Sequence, residues 1–500
     1  SNQIRAASAH GAHNQMGIGT ERKQTQPRKR VRPTGNDYNT HRDSPPAAND
    51  SRHPHGVYPK TARESDAART ALNILFGPRA ERSFAVQFWD GQVDRPDDAT
   101  PDFTLVLNYP GTLRRMLKPP FELSICEAFI AADFDILGSA ESAAGLGENI
   151  RSDLASPLRL ARLTRALRSL PTDDAPPPHP VVRARDPHEV GSARHTPLRD
   201  AASVRSHYDV GNDFYQMWLD KRMVYSCAYF TSPDNTLDDA QEAKLEHICR
   251  KLRLSPGEKF LDVGCGWGGL IMHAAERFGV TAHGITLSYE QAALARERIR
   301  ERGLESRCTV ELRDYRQLSA NGEFDKIASV GMVEHVGRAN LPVYFDKLHT
   351  YLRSGGLLLN HGIVHVPGAT GKPRLRDRIF DRFWGDNAFI NKYVFPDGEL
   401  PQLAEVIACA EGSGFETRDA ESLREHYAIT LRHWVRNLEQ RRPAAVASVG
   451  EEIYRIWRLY MAASAFGFAS GRLAVDQVLL AKPNLSGHSA VPLTRADIYA

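Results

Sequence analysis

Apolar residues change their spacing along this chain, and the changes divide it. Residues 1–60 are rich in Asn, Gln, His, Arg and Pro and carry no periodic apolar signal. They bury too little surface to offset chain entropy and read as a disordered tail. From 61 to 150 short apolar runs appear. Phe84 to Trp89 and Phe103 to Leu107 read as strands forming a hairpin through a turn at Asp90-Gly91, and Thr112 to Leu117 and Ser124 to Ile130 read as short helices. The pattern predicts a small α+β domain. It lacks a nucleophile-base pair or metal-ligand spacing, so its expected role is lipid binding or assembly. From Asn149 to Leu170 the period is helical, with Leu154, Leu158, Leu163, Leu167 and Leu170 interleaved with Arg151, Arg159, Arg162, Arg165 and Arg168. A basic amphipathic helix packs its leucines on its own protein more often than it lies on a membrane, and both uses fit this stretch. Residues 171–200, with Pro176-Pro177-Pro178, predict an extended or disordered linker.

From about 201 to 482 the spacing alternates between helix and strand periods. Gln241 to Leu254 places Leu245, Ile248, Cys249 and Leu252 on one helical face; a strand at 260–263 follows, and the next helix closes at Gly279. Val280 to Thr286 reads as a strand, and Ser288-Tyr289-Glu290-Gln291 as the capping box of a helix ending near Gly303. Further strands are expected at 308–312, 324–330 and 357–362, a helix at 341–352, and a late strand, Val475 to Leu480, at the sheet edge. This alternation predicts an α/β domain with a parallel, doubly wound sheet, whose ligands sit beyond the carboxyl ends of the strands. Gly264, Thr286, Asp314, Gly331 and His361 all fall at such ends. The series Ile379, Phe380, Phe383, Trp384, Phe389, Ile390, Tyr393 and Phe395 serves either as a lid with an acyl tunnel or as ordinary core. Residues 483–500 read as a C-terminal tail.

Five hundred residues, 41% hydrophobic and 25% charged, suit a globular protein of two domains. The net charge of +3 is uneven: residues 1–60 hold ten Lys/Arg against four Asp/Glu, a balance of +6, which leaves −3 on the rest. Arg28-Lys29-Arg30 with Arg32 could touch anionic lipid or nucleic acid, although a solvated tail is the plainer reading and no nucleic-acid partner is expected. Six cysteines lie far apart with no C-x-x-C pair, which argues for reduced thiols in a cytosol and against a metal site or disulfide framework. No run reaches the roughly 18 to 20 apolar residues that span a bilayer, and no leader pattern opens the chain. The expected location is cytoplasmic, with membrane contact limited to the periphery.

The densest chemistry lies at Phe260-Leu261-Asp262-Val263-Gly264-Cys265-Gly266-Trp267-Gly268-Gly269-Leu270, where an apolar run breaks into glycines ahead of a helix-compatible segment. Glycines let backbone approach a ligand and accept positive φ. Gly264, Gly266 and Gly269 satisfy G-x-G-x-x-G, which admits a dinucleotide or S-adenosylmethionine (SAM). Asp262 suits the cationic amino end of SAM and would repel a pyrophosphate. The acid that a nicotinamide fold wants for its ribose is absent, since Thr286-Leu287-Ser288 stands there. SAM enzymes usually place an acid there too. The preference for SAM therefore rests on Asp262 and on Asp314-Tyr315, which could hold and stack on an adenine.

Further blocks accompany this loop. They are His207-Tyr208-Asp209-Val210-Gly211-Asn212-Asp213-Phe214-Tyr215, Tyr225-Ser226-Cys227-Ala228-Tyr229-Phe230, Thr286-Leu287-Ser288 with Gln291, Gly331-Met332-Val333-Glu334-His335-Val336-Gly337, and His426-Tyr427 with Thr430-Leu431 and Trp434. Together they resemble the cyclopropane-fatty-acyl-phospholipid synthase family, which includes mycolic acid cyclopropane synthases and related fatty-acid C-methyltransferases. The likeness covers about 200 to 482 well and 61–150 loosely. It implies a class I SAM methyltransferase fold, Rossmann-like, that delivers methyl to a cis double bond of an unsaturated phospholipid acyl chain at a membrane surface. It also implies a bicarbonate ion near the sulfonium, held by Cys227, Glu334, His361 and Tyr427. The SAM contacts it implies are Tyr225, Ser226, Asp262, Gly264, Gly266, Thr286, Leu287, Gln291, Asp314 and Tyr315. Some members carry a cysteine in the late helix where this chain has Ser464, so a thiol mechanism there is not available. Family members are often homodimers, but no residue pattern here marks an interface.

The chemistry explains why such residues are wanted. An alkene is a poor nucleophile, so the methyl must come from a sulfonium, and the cation formed on its addition must be shielded from water. Ring closure then requires a base within reach of the new methyl. An anion in a polar pocket can be that base and stabilise the cation. Cys227, His361 and Tyr427 can donate to it, while an ionised Glu334 would accept bicarbonate's own proton or orient a histidine. The faces of Tyr229, Phe230 and Tyr427 could stabilise the cation further. Read singly, Cys227 or His361 is as ordinary as any core residue, and His335 is offset by one residue from the anion site. Rival readings are a C-methyltransferase whose cation loses a different proton, a small-molecule N-methyltransferase on the same scaffold, and a non-enzymatic lipid-binding protein.

Overall fold

The computed structural model describes residues 62–499 except 98–99, 155, 173, 175–193, 209, 368–386 and 490. The basic tail, most of the Pro-rich stretch, and Ile379, Phe380, Phe383 and Trp384 of the aromatic series lie outside the described residues.

The N-terminal part runs α1 (Ala62–Phe76), β1 (Ala85–Gln87), β2 (Val93–Asp94), β3 (Phe103–Leu107), α2 (Thr112–Met116), α3 (Phe121–Ile130), β4 (Phe134–Gly138), α4 (Ala140–Leu154) and α5 (Pro157–Leu167). Its sheet has the order β2-β1-β3-β4. The expected hairpin is corrected: Asp90-Gly91 returns into β2, antiparallel to β1, while β3 lies parallel to β1 on its other side. A tight turn joins only antiparallel neighbours, and β2 is too short to register as an apolar run. The single helix expected over 149–170 is also corrected to two. Pro157 opens α5, where its missing N–H is harmless; inside a continuous helix it would remove a bond and clash with the preceding turn. Leu163, Leu167 and Leu170 pack into the core of this part with Leu72, Phe103 and Phe129, whereas Leu158 and Leu160 stay exposed.

The second part begins with α6 (Pro197–Tyr208), which starts within the stretch expected to be linker. It continues through α7 (Asn212–Gln216), α8 (Leu237–Leu252), β5 (Lys259–Val263), α9 (Gly269–Phe278), β6 (Thr281–Thr286), α10 (Tyr289–Glu301), β7 (Cys308–Leu312) and β8 (Phe324–Val330). Then come α11 (Val333–Val336), α12 (Leu341–Tyr351), β9 (Leu352–His365), α13 (Ala388–Tyr393), α14 (Leu403–Gly412) and β10 (Glu416–Ser422). The chain ends with α15 (Arg424–Gln440), α16 (Arg442–Val449), α17 (Glu451–Ala469), β11 (Leu473–Ala481) and α18 (Ala496–Tyr499). The sheet order is β10-β11-β9-β8-β5-β6-β7. Strands β5 to β9 pair in parallel, as alternation predicts. β11 departs from expectation: it runs antiparallel to both β9 and β10 and sits between them rather than at the edge. The edge strand β10 reads Glu-Thr-Arg-Asp-Ala-Glu-Ser, with almost no apolar signal to find. β9 also outruns its expected end, so His361 lies within it. In register, however, His361 pairs with Val330, the last residue of β8, and its carbonyl accepts from the Gly331 N–H.

Helix α17 joins the two parts. Arg455 donates to the carbonyls of Phe129 and Phe134 and to Asp135, and Arg458 donates to the Ile136 carbonyl. Trp457 and Tyr460 of the same helix enter a separate core with Tyr215, Trp218, Trp434 and Tyr427. Gly145 lets α4 approach, since a Cβ there would lie 2.8 Å from the Phe466 ring. The final residues, expected as a tail, return to the body: Ile498 is buried, and Asp497 and Asp419 pair with Arg253 and Arg495 at 2.7 Å. Among the described residues, no helix is long and apolar enough to cross a membrane.

Candidate active site

The glycine loop lies at the carboxyl end of β5, where an α/β sheet leaves a crevice between neighbouring strand ends. Gly264 has φ +85°, a conformation that favours glycine, and a Cβ there would press on the Met332 side chain at 2.5 Å. The N–H groups of Gly264 and Cys265 both donate to the Ile285 carbonyl, which folds the loop against β6. Beside it opens a cavity of about 1140 Å³, counting its mouth. Its wall contains Tyr225, Ser226, Asp262, Gly264, Gly266, Thr286, Leu287, Gln291 and Tyr315, brought together from five separate stretches of chain.

Asp314 is not in that wall. Its Oδ1 accepts from the Arg316 N–H and Nε at 2.8 and 2.9 Å, and its Oδ2 accepts from Nη2 at 2.6 Å. The cavity therefore meets Arg316, which Asp200 of α6 also holds at 2.9 Å. Gln291 completes only half of the expected capping box: Ser288 Oγ accepts from its N–H, while its side-chain oxygen accepts the Thr286 hydroxyl at 2.8 Å.

Asp262 is 2% exposed, and its Oδ1 has no hydrogen-bond partner. Burial raises its carboxyl to about 7, opposed by the charge of Lys244. A buried acceptor left unpaired is costly, and a cationic ligand group would satisfy it. That fits the amino end of SAM. Lys244 was missed by the sequence reading, although a signal existed. Gln241, Lys244, His247 and Lys251 recur at helical spacing beside the leucine face of α8, and all four are buried.

None of Cys227, Glu334, His361 and Tyr427 lines the cavity. All four are buried outside its wall. Cys227 Sγ donates to the Leu423 carbonyl at 3.7 Å, one turn before Tyr427, whose ionisation responds to both Cys227 and Glu334. Glu334 Oε1 accepts from the Ile363 N–H at 2.7 Å, two residues past His361. Glu334 Oε2 and His361 Nε2 have no partner. Gln477 Nε2 lies 3.1 Å from His361 Nδ1; an amide N–H donates, so Nδ1 accepts and the ring proton sits on Nε2. Burial lowers His361 to about 3, raises Glu334 to about 7, and pushes the Cys227 thiol and Tyr427 phenol far up. At neutral pH His361, Cys227 and Tyr427 thus carry N–H, S–H and O–H groups without charge, while Glu334 stands close to half ionised. His335, offset from the anion site in the sequence reading, lines the cavity instead. Of the aromatic series, Phe389 and its partly buried neighbours Ile390, Tyr393 and Phe395 join the core around α7 and α17.

A family model described as Mycolic acid cyclopropane synthetase matches residues 195–478. A Pseudomonas putida protein named "Probable fatty acid methyltransferase" is 42% identical over 417 residues, 83% of this chain and 95% of its own length. The cyclopropane-fatty-acyl-phospholipid synthase of Escherichia coli K12 is 37% identical over 278 residues, 56% of this chain and 67% of its own. Among solved structures, the cyclopropane synthase MmaA2 from Mycobacterium tuberculosis aligns with TM-score 0.53 at 33% identity, covering 56% of this chain and 98% of that one. The mycolic acid cyclopropane synthase CmaA1, complexed with SAH and CTAB, aligns with TM-score 0.52 at 34% identity over the same shares.

Proposed function

Because this chain belongs to the mycolic acid cyclopropane synthetase family of SAM-dependent methyltransferases, we propose that it converts a cis double bond in a phospholipid acyl chain to a cyclopropane. The observation that carries the reading is the pairing of two sites. The cavity offers an unpaired buried carboxylate, Asp262, to a cationic donor, and outside its wall His361 Nε2 and Glu334 Oε2 are buried and unpaired as well.

In the proposed reaction an alkene carbon takes the methyl from sulfur, the thioether leaves, and a cation remains on the second alkene carbon. Loss of a proton from the new methyl lets that C–H electron pair close the ring. Bicarbonate held among Cys227, Glu334, His361 and Tyr427 would supply the base. His361 Nε2–H and the Tyr427 hydroxyl would hold the anion as donors, the Cys227 thiol would join them by turning from the Leu423 carbonyl, and Glu334 would take or return a proton near neutral pH. The aromatic core of Tyr208, Tyr225, Trp434 and Trp457 excludes water and presents π faces to developing positive charge. Replacing Asp262 by Asn should weaken the donor site, since its carboxylate is the group left to meet a cation.

A second reading has its own support. The Pseudomonas putida relative is named a fatty acid methyltransferase, and the same cation losing a different proton would give a methyl-branched chain. Mass spectrometry of lipids from cells expressing the protein separates them. Both products gain 14 mass units; a ring resists mild hydrogenation, whereas an unsaturated methylated chain takes up hydrogen. Unchanged lipids would overturn both readings. We infer that the enzyme works at the cytoplasmic face of a membrane, held peripherally. Supporting this, α5 exposes Leu158 at 77% beside exposed Arg159, Arg162, Arg165 and Arg168, a surface suited to anionic lipid.

A further inference from the structure

Lys244 is 2% exposed on α8, lines the cavity, and makes one hydrogen bond, from Nζ to Ser226 Oγ at 2.8 Å. An ammonium has three N–H donors and no acceptor, so two donors remain and the Ser226 oxygen is fixed as acceptor. The serine proton must then point elsewhere, and Ser226 lies in the cavity wall. One turn earlier on the same helix, Gln241 Nε2 donates to the carbonyls of Val224 and Ser226 at 3.2 and 2.9 Å. Helix α8 thus clamps the 224–226 segment by backbone and by side chain. The titratable groups facing Lys244 are Asp220, Asp262, the neutral Cys227 thiol and His361. Asp220 is already committed to the N–H groups of Arg222 and Val224. Asp262 Oδ1 is free.

We propose that Lys244 is a positioning residue for the amino-acid end of the methyl donor: by donating to Ser226 Oγ it turns the serine O–H into the cavity toward the donor's carboxylate, while Asp262 receives the donor's ammonium. A zwitterion is then read by a zwitterionic wall, each buried charge facing its opposite. The inference rests on the SAM assignment above and adds how the site distinguishes an amino acid from a plain amine. A hydrogen bond to a charged group in a buried setting is worth about 1.5–3 kcal/mol, or roughly ten- to hundredfold in affinity.

The test compares three neutral-sulfur ligands by calorimetry: S-adenosylhomocysteine, its decarboxylated analogue, and 5′-methylthioadenosine, which lacks the amino-acid end. The unaltered protein should favour S-adenosylhomocysteine over the decarboxylated analogue by at least tenfold. In Lys244→Met that ratio should fall below about threefold with 5′-methylthioadenosine binding unchanged, and Lys244→Arg should restore part of it. Ser226→Ala should lower the ratio with Lys244 intact, which keeps the idea testable if Lys244→Met does not fold. An unchanged ratio in both variants, or a parallel loss for all three ligands, overturns the positioning role. Failure of the unaltered protein to bind S-adenosylhomocysteine at all overturns the donor assignment instead.

Discussion

Glu334→Gln should abolish ring formation and yet make the protein more stable in mildly alkaline, bicarbonate-free buffer. Glu334 is 8% exposed, and burial raises its carboxyl from an ordinary 4.5 to about 7. Between those values the folded chain keeps a proton that the unfolded chain has released. The stability tied to this group is therefore full below pH 4.5 and is lost as pH rises through about 7. The whole interval corresponds to about 3 kcal/mol, the cost of holding Glu334 ionised at pH 8. A glutamine never ionises, and its carbonyl still accepts from the Ile363 N–H. Its NH₂ occupies the place of the unpaired Oε2, which returns about 1–2 kcal/mol of the gain. The net expectation is about 1–2 kcal/mol more stable at pH 8 and near parity or slightly less stable at pH 5. Urea unfolding at pH 5, 6, 7 and 8 measures this as the difference between the two proteins, so every other titrating group cancels. A difference that stays flat across pH, or a variant less stable at pH 8, would refute the claim that Glu334 is held at an energetic cost for its chemistry.

Three further outcomes are expected. Cys227→Ser and His361→Ala should lower turnover far more than SAM affinity, because neither lines the cavity; a parallel loss in calorimetric SAM binding would mean they support the donor site. Arg455→Ala removes donors to Phe129, Phe134 and Asp135 across the junction between the two parts. It should cost about 2–4 kcal/mol in urea unfolding, and a loss below 1 kcal/mol would show that α17 does not anchor the N-terminal sheet. At low salt the protein should sediment with anionic vesicles but not with neutral ones. Replacing Arg159 and Arg162 by Glu should reduce this binding several-fold, and salt near 0.5 M should release the protein; sedimentation unaffected by either change would count against α5 as the contact.

Some of this protein was determined by sequence alone. Local rules carried the parallel strands β5 to β8, the glycine loop and the Ser288 cap, because each depends on residues within a few positions of one another. The short ordered blocks were enough to name the family and nine residues of the cavity wall. Tertiary structure decided the rest, where partners are distant. β11 lies inside the sheet because β10, a polar strand without apolar signal, covers it. Asp314 leaves the wall because Arg316 and Asp200 claim the space. Above all, protonation was set in three dimensions. Asp262, Glu334, His361 and Lys244 are ordinary ionisable residues in a sequence, and only burial, with the charge of Lys244 acting on Asp262 and His361, shifts them. Desolvation depends on how much chain from elsewhere surrounds a group, and no spacing along the chain records that.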